Sequence, residues 1–222
     1  MQKFATTAPV SAILDIPAGR IQFIATDRAD TTVEVLPADA SKSRDVKAAE
    51  QIEVAYGDGV LRIEAPAAKN RLLGNPGSIE VTVQLPAGSR VEAKAASAEL
   101  RGVGRLGDVA LEAAHGTVKL DEAESARLTL QAGDIEVGRL RGPAEISTQK
   151  GDLQIAEAMH GTVALRTEHG EISVGAARGV SASLDAGTAY GRIHNALKNT
   201  EGTAGLNIHA TTAYGNIAAR SL

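Results

Sequence analysis

Cysteine and tryptophan are both absent from these 222 residues, and only two phenylalanines and three tyrosines are present. Without Cys, neither a disulfide nor a thiolate metal site can brace the fold, which suits a reducing compartment. With Phe4, Phe23, Tyr56, Tyr190 and Tyr214 as the whole aromatic complement, the core has to be built from small aliphatic side chains. No run of about 18 apolar residues occurs, so no membrane-spanning helix is expected. The opening MQKFATTAPV has neither the basic start nor the apolar stretch of a secretory leader. Cytoplasmic residence is the expectation, with the cell surface as the alternative if a leader has been removed. A surplus of one charge sign is missing too: 23 basic and 27 acidic residues give a net charge of −4. The basic residues are scattered, so neither nucleic acid nor membrane insertion is expected.

What is present is β-strand pattern throughout, on a chain long enough to bury a real core. Across 13–96 short alternating segments follow one another, as in Ile21, Gln22, Phe23, Ile24 and in Val81, Val83, Leu85. The segments 51–54 and 60–64 flank Tyr56-Gly57-Asp58-Gly59, the composition of a hairpin turn. Ile16-Pro17-Ala18-Gly19 and Leu85-Pro86-Ala87-Gly88 both read as turns between strands. The polar stretch 38–50 reads as a loop with at most one helical turn, and 67–76 as an exposed loop.

After Val91 the chain becomes periodic. Gly116, Gly133, Gly151, Gly170, Gly191 and Gly215 are anchors, with Ala98 in the equivalent place one unit earlier; the spacings are 18, 17, 18, 19, 21 and 24. Two places after the anchors stand Leu100, Val118, Ile135, Leu153, Ile172, Ile193 and Ile217, an unbroken aliphatic column. Apolar positions are odd before the anchor and even after it, so a straight strand cannot pass through, and the glycine marks a corner. Each unit is strand, corner, strand, connection, and cannot fold alone.

The expected fold is all-β: a β-solenoid of about seven two-strand coils, preceded by an antiparallel β region continuous with it. In domain terms, 1–90 is a strand and hairpin region packing on the repeats, and 91–222 is the solenoid with a C-terminal cap, the two forming one continuous unit. A sandwich of antiparallel hairpins is the competing arrangement. It is disfavoured because one residue column recurs at a constant offset.

The phrases AGDIEVGRLRGPA, KGDLQIAE and EHGEISVG, with the closing TAYGRIHN and TAYGNI, resemble the bacterial putative-adhesin family of β-strand-repeat domains of unknown function. The resemblance covers nearly the whole chain. It implies a β-solenoid-like fold and assigns no catalytic residue.

Candidate chemistry is sparse. Stacked coils would place Asp134, Asp152 and Glu171, each directly after an anchor, in a ladder about 4.8 Å apart. Such a ladder could hold a hard cation such as Ca²⁺, serve as paired carboxylates of a carbohydrate-active enzyme, or accept hydrogen bonds from corner amides. A sugar-binding groove usually has aromatic platforms, and no aromatic lies between Tyr56 and Tyr190. His115 and His169 share one place but sit three coils apart, too far for one metal ion. Thr148, Thr167, Thr188 and Thr212 form a column that is either a small inward row or an ice-binding face. Tyr190 and Tyr214 either plug the C-terminal end or contact a partner. The reading is a non-enzymatic structural or protein-interaction module with a protein partner or self-association and no cofactor. The alternative is a carbohydrate-active or calcium-dependent protein using the corner carboxylates.

Overall fold

The structure, a computed structural model, describes residues 1–66, 77–199 and 204–222; the stretch 67–76 read as a loop lies outside them. The chain opens with β1 (Gln2–Ala5) and the long β2 (Ser11–Thr26), then β3 (Asp30–Pro37), helix α1 (Ser43–Glu50), β4 (Glu53–Gly57), β5 (Val60–Glu64) and β6 (Ile79–Pro86). The repeats comprise β7 (Arg90–His115), β8 (Val118–Ala132), β9 (Ile135–Leu140), β10 (Ala144–Ser147), β11 (Leu153–Ala158), β12 (Gly161–Arg166) and β13 (Ile172–Ala176). They end with β14 (Ala182–Tyr190), β15 (Ile193–Ala196), β16 (Leu206–Tyr214) and β17 (Ile217–Ser221).

From β7 onward the pairings are parallel and align the sequence columns: Leu100 with Val118, Val118 with Ile135, Ile135 with Leu153, and Leu153 with Ile172. Every one of these side chains is buried. Hairpins would have paired antiparallel, so the fold is the expected β-solenoid. Each coil runs inward along one arm, turns at the glycine and leaves along a second arm. The glycine is required by close approach as well as by conformation. A Cβ on Gly133 (φ 138°) would lie 1.5 Å from the Gly116 carbonyl oxygen, and one on Gly151 (φ 146°) 2.1 Å from that of Gly133.

The same contacts give the order of the coils in space. Gly170 stands over Gly151, Gly215 over Gly170, and Gly191 over Gly215. The last unit in the chain is therefore inserted between the two before it: β16 pairs with both β12 and β14, and β17 with both β13 and β15. Expected to be successive turns, the final two coils are exchanged. The side chains show why. At inward places the last unit offers Ile208, Ala210, Ile217 and Ala219, all buried, whereas its predecessor offers Asn195 and an Ile193 that is 47% exposed. The more apolar coil takes the interior layer, where burial of its side chains is complete.

A further buried column lies in the connections. Leu106, Ala123, Leu140, Ala158 and Ala176 are paired successively and are at most 1% exposed. Its offset from the anchor drifts from eight places to seven and then six, which hid it from a fixed-offset reading. Large and small residues alternate along its first four members, so neighbouring layers interdigitate.

The N-terminal region supplies one more coil. Ser11–Ile16 of β2 pair in parallel with Arg90–Ala95, and Ala18–Ala25 with Ser97–Gly104. Ala12, Leu14, Ile16, Ile21 and Phe23 fill the inward places of a repeat whose anchor is Gly19, and all are buried. Pro17-Ala18-Gly19 is thus a solenoid corner inside one continuous strand, where a turn between two strands was expected. On this coil lies a layer made of β5 and β6, both parallel to β2. The expected antiparallel region is the cover over that layer: β4 on β5, β3 on β6, and β1 on β3. The β4–β5 hairpin closes through Asp58 (φ 51°) and Gly59 (φ 77°), both left-handed, as a two-residue primed turn requires.

Where a loop with at most one helical turn was expected, α1 forms an eight-residue helix. Its Ala48 and Ala49 pack on the core. The buried Asp45 carboxylate accepts the Ser78 N–H at 3.0 Å. Tertiary packing on β3 and β6 stabilises a segment too short to be helical alone.

In the cover, Arg28 Nε donates to Asp30 at 2.8 Å and Lys3 Nζ lies 2.8 Å from the same carboxylate. These hydrogen bonds, the Arg28 one foremost, hold the Asp30 carboxyl well below the usual carboxylate range.

Two outcomes are expected. Gly151→Ala should cost about 3 kcal/mol or more in chemical denaturation. Gly187→Ala, where an added Cβ meets nothing within 4 Å, should stay within about 0.5 kcal/mol. Because the Asp30 carboxyl is depressed, its contribution should be full above about pH 4 and fall away as the pH drops further. Asp30→Asn should flatten that part of the melting-temperature profile.

Candidate functional site

The residues singled out by sequence meet along the glycine corner. Asp134 Oδ1 accepts the Asp152 N–H at 2.9 Å, and Asp152 Oδ1 accepts the Glu171 N–H at 2.7 Å. The chain of contacts then follows the spatial order of the coils. Asn216 Nδ2 donates to Glu171 Oε1 at 3.0 Å, and Asn216 Oδ1 accepts the Arg192 N–H at 2.9 Å. Asp134, Asp152 and Asn216 each satisfy a backbone amide that the corner would otherwise leave to solvent. Among the described residues no group of three or more His, Asp or Glu is arranged to hold a metal ion.

The threonines lie one step inside the corner. Thr148, Thr167 and Thr212 are buried, and Thr167 and Thr212 each donate at 3.1 Å to the carbonyls of Gly151 and Gly170. Thr188 donates to Gly215 at 3.0 Å. The column is the inward row; a buried hydroxyl cannot form an ice-binding face. Each of these hydroxyls hydrogen-bonds the carbonyl of the anchor glycine of the adjacent coil.

On the outside of the corner the place before each anchor forms a row of its own. Ala132, Lys150, His169 and Tyr214 are bridged in that order, and Tyr214 pairs with Tyr190. The His169 and Tyr214 rings stack at 4.9 Å with an 11° interplanar angle, and the Tyr214 and Tyr190 rings at 4.9 Å and 4°. This stack is stabilising. Tyr214 is 51% and Tyr190 68% exposed, so the rings do not plug the core. Two residues after Thr188 and Thr212, both rings stand exposed where the chain bends at the corner. The exchange of the last two coils sets Tyr214, where sequence order would have set Tyr190, beside His169. The clue available in the sequence was Asn195 at an inward place, which marks its coil as the outermost.

His115 is separated from His169 by Ala132 and Lys150, as its three-coil offset implied. On the face of the first arm, His209 Nδ1 lies 3.4 Å from Asp185 Oδ2. Elsewhere the outer faces carry ion pairs between adjacent coils, including Lys119–Glu136 at 2.8 Å and Arg139–Glu157 at 2.7 Å. Glu157 raises the pKa of Arg139 further. Such exposed pairs contribute little individually, but they set opposite charges side by side on adjacent coils. A solvent-open groove of about 600 Å³ runs along the ends of the second arms, between Arg105, Glu122, Arg139 and Glu157.

At the end of the stack, the coil of β14 and β15 is paired on one side only among the described residues. Leu184 and Ala186 on its inner row are half-buried. Among the described residues, Tyr190, Ile193 and Tyr214 form the one grouping of exposed large apolar side chains on adjacent coils.

Replacing Thr167 by Val is expected to cost about 1 kcal/mol, since it removes the hydroxyl donor to Gly151 while keeping the shape. The exposed Thr162→Val should change stability by less than about 0.5 kcal/mol. Urea titration of the two variants distinguishes them.

No curated protein matches the chain in sequence. Among solved structures it is similar to a putative adhesin from Bacteroides fragilis, at 13% identity and a TM-score of 0.46, covering 98% of this chain and 95% of that one. It is also similar to a putative lipid binding protein from Parabacteroides distasonis, at 12% identity and 0.43, covering 100% and 95%. A putative cell adhesion protein from Clostridium sporogenes is similar at 11% identity and 0.41, covering 100% and 98%. The family model described as Toastrack DUF4097 matches residues 13–220, from the first coil of β2 to the last strand, and the chain belongs to that family.

Proposed function

We propose that this protein is a non-enzymatic protein-interaction module, with the solenoid as a rigid support and the aromatic corner of its final coils as the contact surface. The observation that carries the reading is the grouping of Tyr190, Ile193 and Tyr214. In a chain with five aromatic residues, two stand exposed and stacked at the same end of the molecule. Exposed apolar groups rimmed by polar ones are the usual mark of a contact site, and tyrosine provides large contact area at low entropic cost.

The corner carboxylates support the reading from the other side. An oxygen of Asp134 and one of Asp152 are occupied by the amide of the next coil, a role in holding the corner together. A nucleic-acid partner fits poorly, since the net charge is −4 and many outer-face cations are paired with carboxylates of adjacent coils. No helix among the described residues is long and apolar enough to cross a membrane. The reading extends to a cytoplasmic setting, because nothing in this cysteine-free fold requires an oxidising one.

The test compares proteins retained from a lysate of the native host by three immobilised forms of the full chain. Tyr190→Ala with Tyr214→Ala should lose most of what the unaltered chain retains. Asp134→Asn with Asp152→Asn should retain it and show no calcium-dependent rise in melting temperature. Retention that survives the tyrosine pair and vanishes with the aspartate pair would reverse the assignment.

A further inference from the structure

The two ends of the solenoid are closed differently. At the N-terminal end the outermost parallel layer, β5 and β6, is covered by antiparallel strands, β4 on one arm and β3 on the other. At the opposite end the arms β14 and β15 have no outer partner among the described residues. Their free amides and carbonyls are a template for added strands, and solenoid ends require capping.

From this geometry we infer that the open end docks against the same end of a second copy of this chain. The result is a two-fold dimer in which β14 of each protomer lies antiparallel to β15 of the other. The inference rests on reading the protein as an interaction module and names its partner.

Strand direction makes the fit self-complementary. Within the terminal coil β14 runs toward the corner at Gly191 and β15 runs away from it. A two-fold axis parallel to the plane of the coil, half a strand spacing beyond it at that corner, lays the second copy's β14 over β15 with its direction reversed. Both free edges of both copies then gain antiparallel partners at once. This is the same closure that β4 and β3 provide at the other end. The interface is isologous, so it closes at two copies and leaves the covered ends outward.

Charge favours the exchange of arms. Asp185 is the one charged residue of β14, and its side chain is 84% exposed. The charged residues exposed beside β15, Arg192 and Lys198, are both basic. Setting β14 on the partner's β15 brings opposite charges together, whereas setting β14 on its own counterpart would bring two acidic strands together.

The ring stack is an independent pointer to the same place. His169, Tyr214 and Tyr190 are spaced 4.9 Å and 4.9 Å apart and nearly parallel, and the series stops at Tyr190, the most exposed of the three tyrosines. Next to the two-fold axis, Arg192 of the second copy comes over Tyr190, where a guanidinium stacks on the exposed ring face. The half-buried Leu184 and Ala186 and the exposed Ile193 are covered in the same step.

The test uses sedimentation velocity on the full chain across about 1 to 100 μM. A dimer is expected, and Ile193→Lys and Tyr190→Ala should each weaken it by about tenfold or more in dissociation constant. Both side chains are exposed enough for the variants to fold, which circular dichroism checks. Because the chain has no cysteine, Arg192→Cys beside the axis should give a disulfide-linked dimer on mild oxidation, and Glu50→Cys at the covered end should not. A chain that stays monomeric at the highest concentration overturns the inference. So does a dimer that ignores the terminal-coil variants, or one that cross-links through Glu50→Cys. A monomer that still retains host proteins through Tyr190 and Tyr214 overturns the dimer alone and leaves the interaction reading standing; a monomer that retains none overturns both.

Discussion

Everything in this molecule depends on how closely the backbones approach at the corner. The anchor glycines stack so tightly that a methyl group on one would overlap the carbonyl of the next. That proximity sets the parallel register, since neighbouring coils can slide relative to each other only by pushing a side chain into the ladder. Register in turn superimposes the aliphatic columns on either side of the corner, which is where the apolar area is buried. The threonine hydroxyls and the corner carboxylates act on the same few atoms, one capping carbonyls from inside and the other capping amides from outside. Backbone polar groups at a bend would otherwise be left to water or buried unpaired.

The same constraint organises the ends. A coil that can stack on its neighbour still exposes a new edge, so an array of this kind terminates only by changing pairing mode. At the N-terminal end that change is a switch to antiparallel strands and a short helix, drawn, apart from β1, from 27–88, an insertion between the first coil and the second. The other end lacks such a cover among the described residues, and there the side chains become polar at inward places and aromatic at outward ones. The stack of His169, Tyr214 and Tyr190 exists because the coil spacing fits ring stacking, and its order, with Tyr214 in the middle, follows from the last coil folding back beneath its predecessor. A geometric repeat thus produces a chemical one, a row of rings on an otherwise ion-paired surface.

A good part of this was readable from residue order. The glycine period, the column from Leu100 to Ile172, the inward threonines and the β4–β5 hairpin are local or strictly periodic features, and stacking leaves such patterns little freedom. Two kinds of feature escaped. Gly19 is an anchor, but 79 positions separate it from Ala98, so its coil has no neighbour in the sequence to reveal the period. The column of Leu106, Ala123 and Leu140 drifts relative to the anchors, because connections between coils vary in length without cost to the arms.

The residue pattern alone determined that corners, arms and inward rows form, because each depends on atoms within one coil or on a column repeated at a constant offset. The order of stacking was decided only by the assembled fold. Any two coils share the same backbone geometry, so their sequence places do not say which lies on which. What separates them is how much apolar surface each buries in an interior layer, a comparison between Ile217 and Ile193, or Ala219 and Asn195, that has meaning only once both coils compete for the same neighbour.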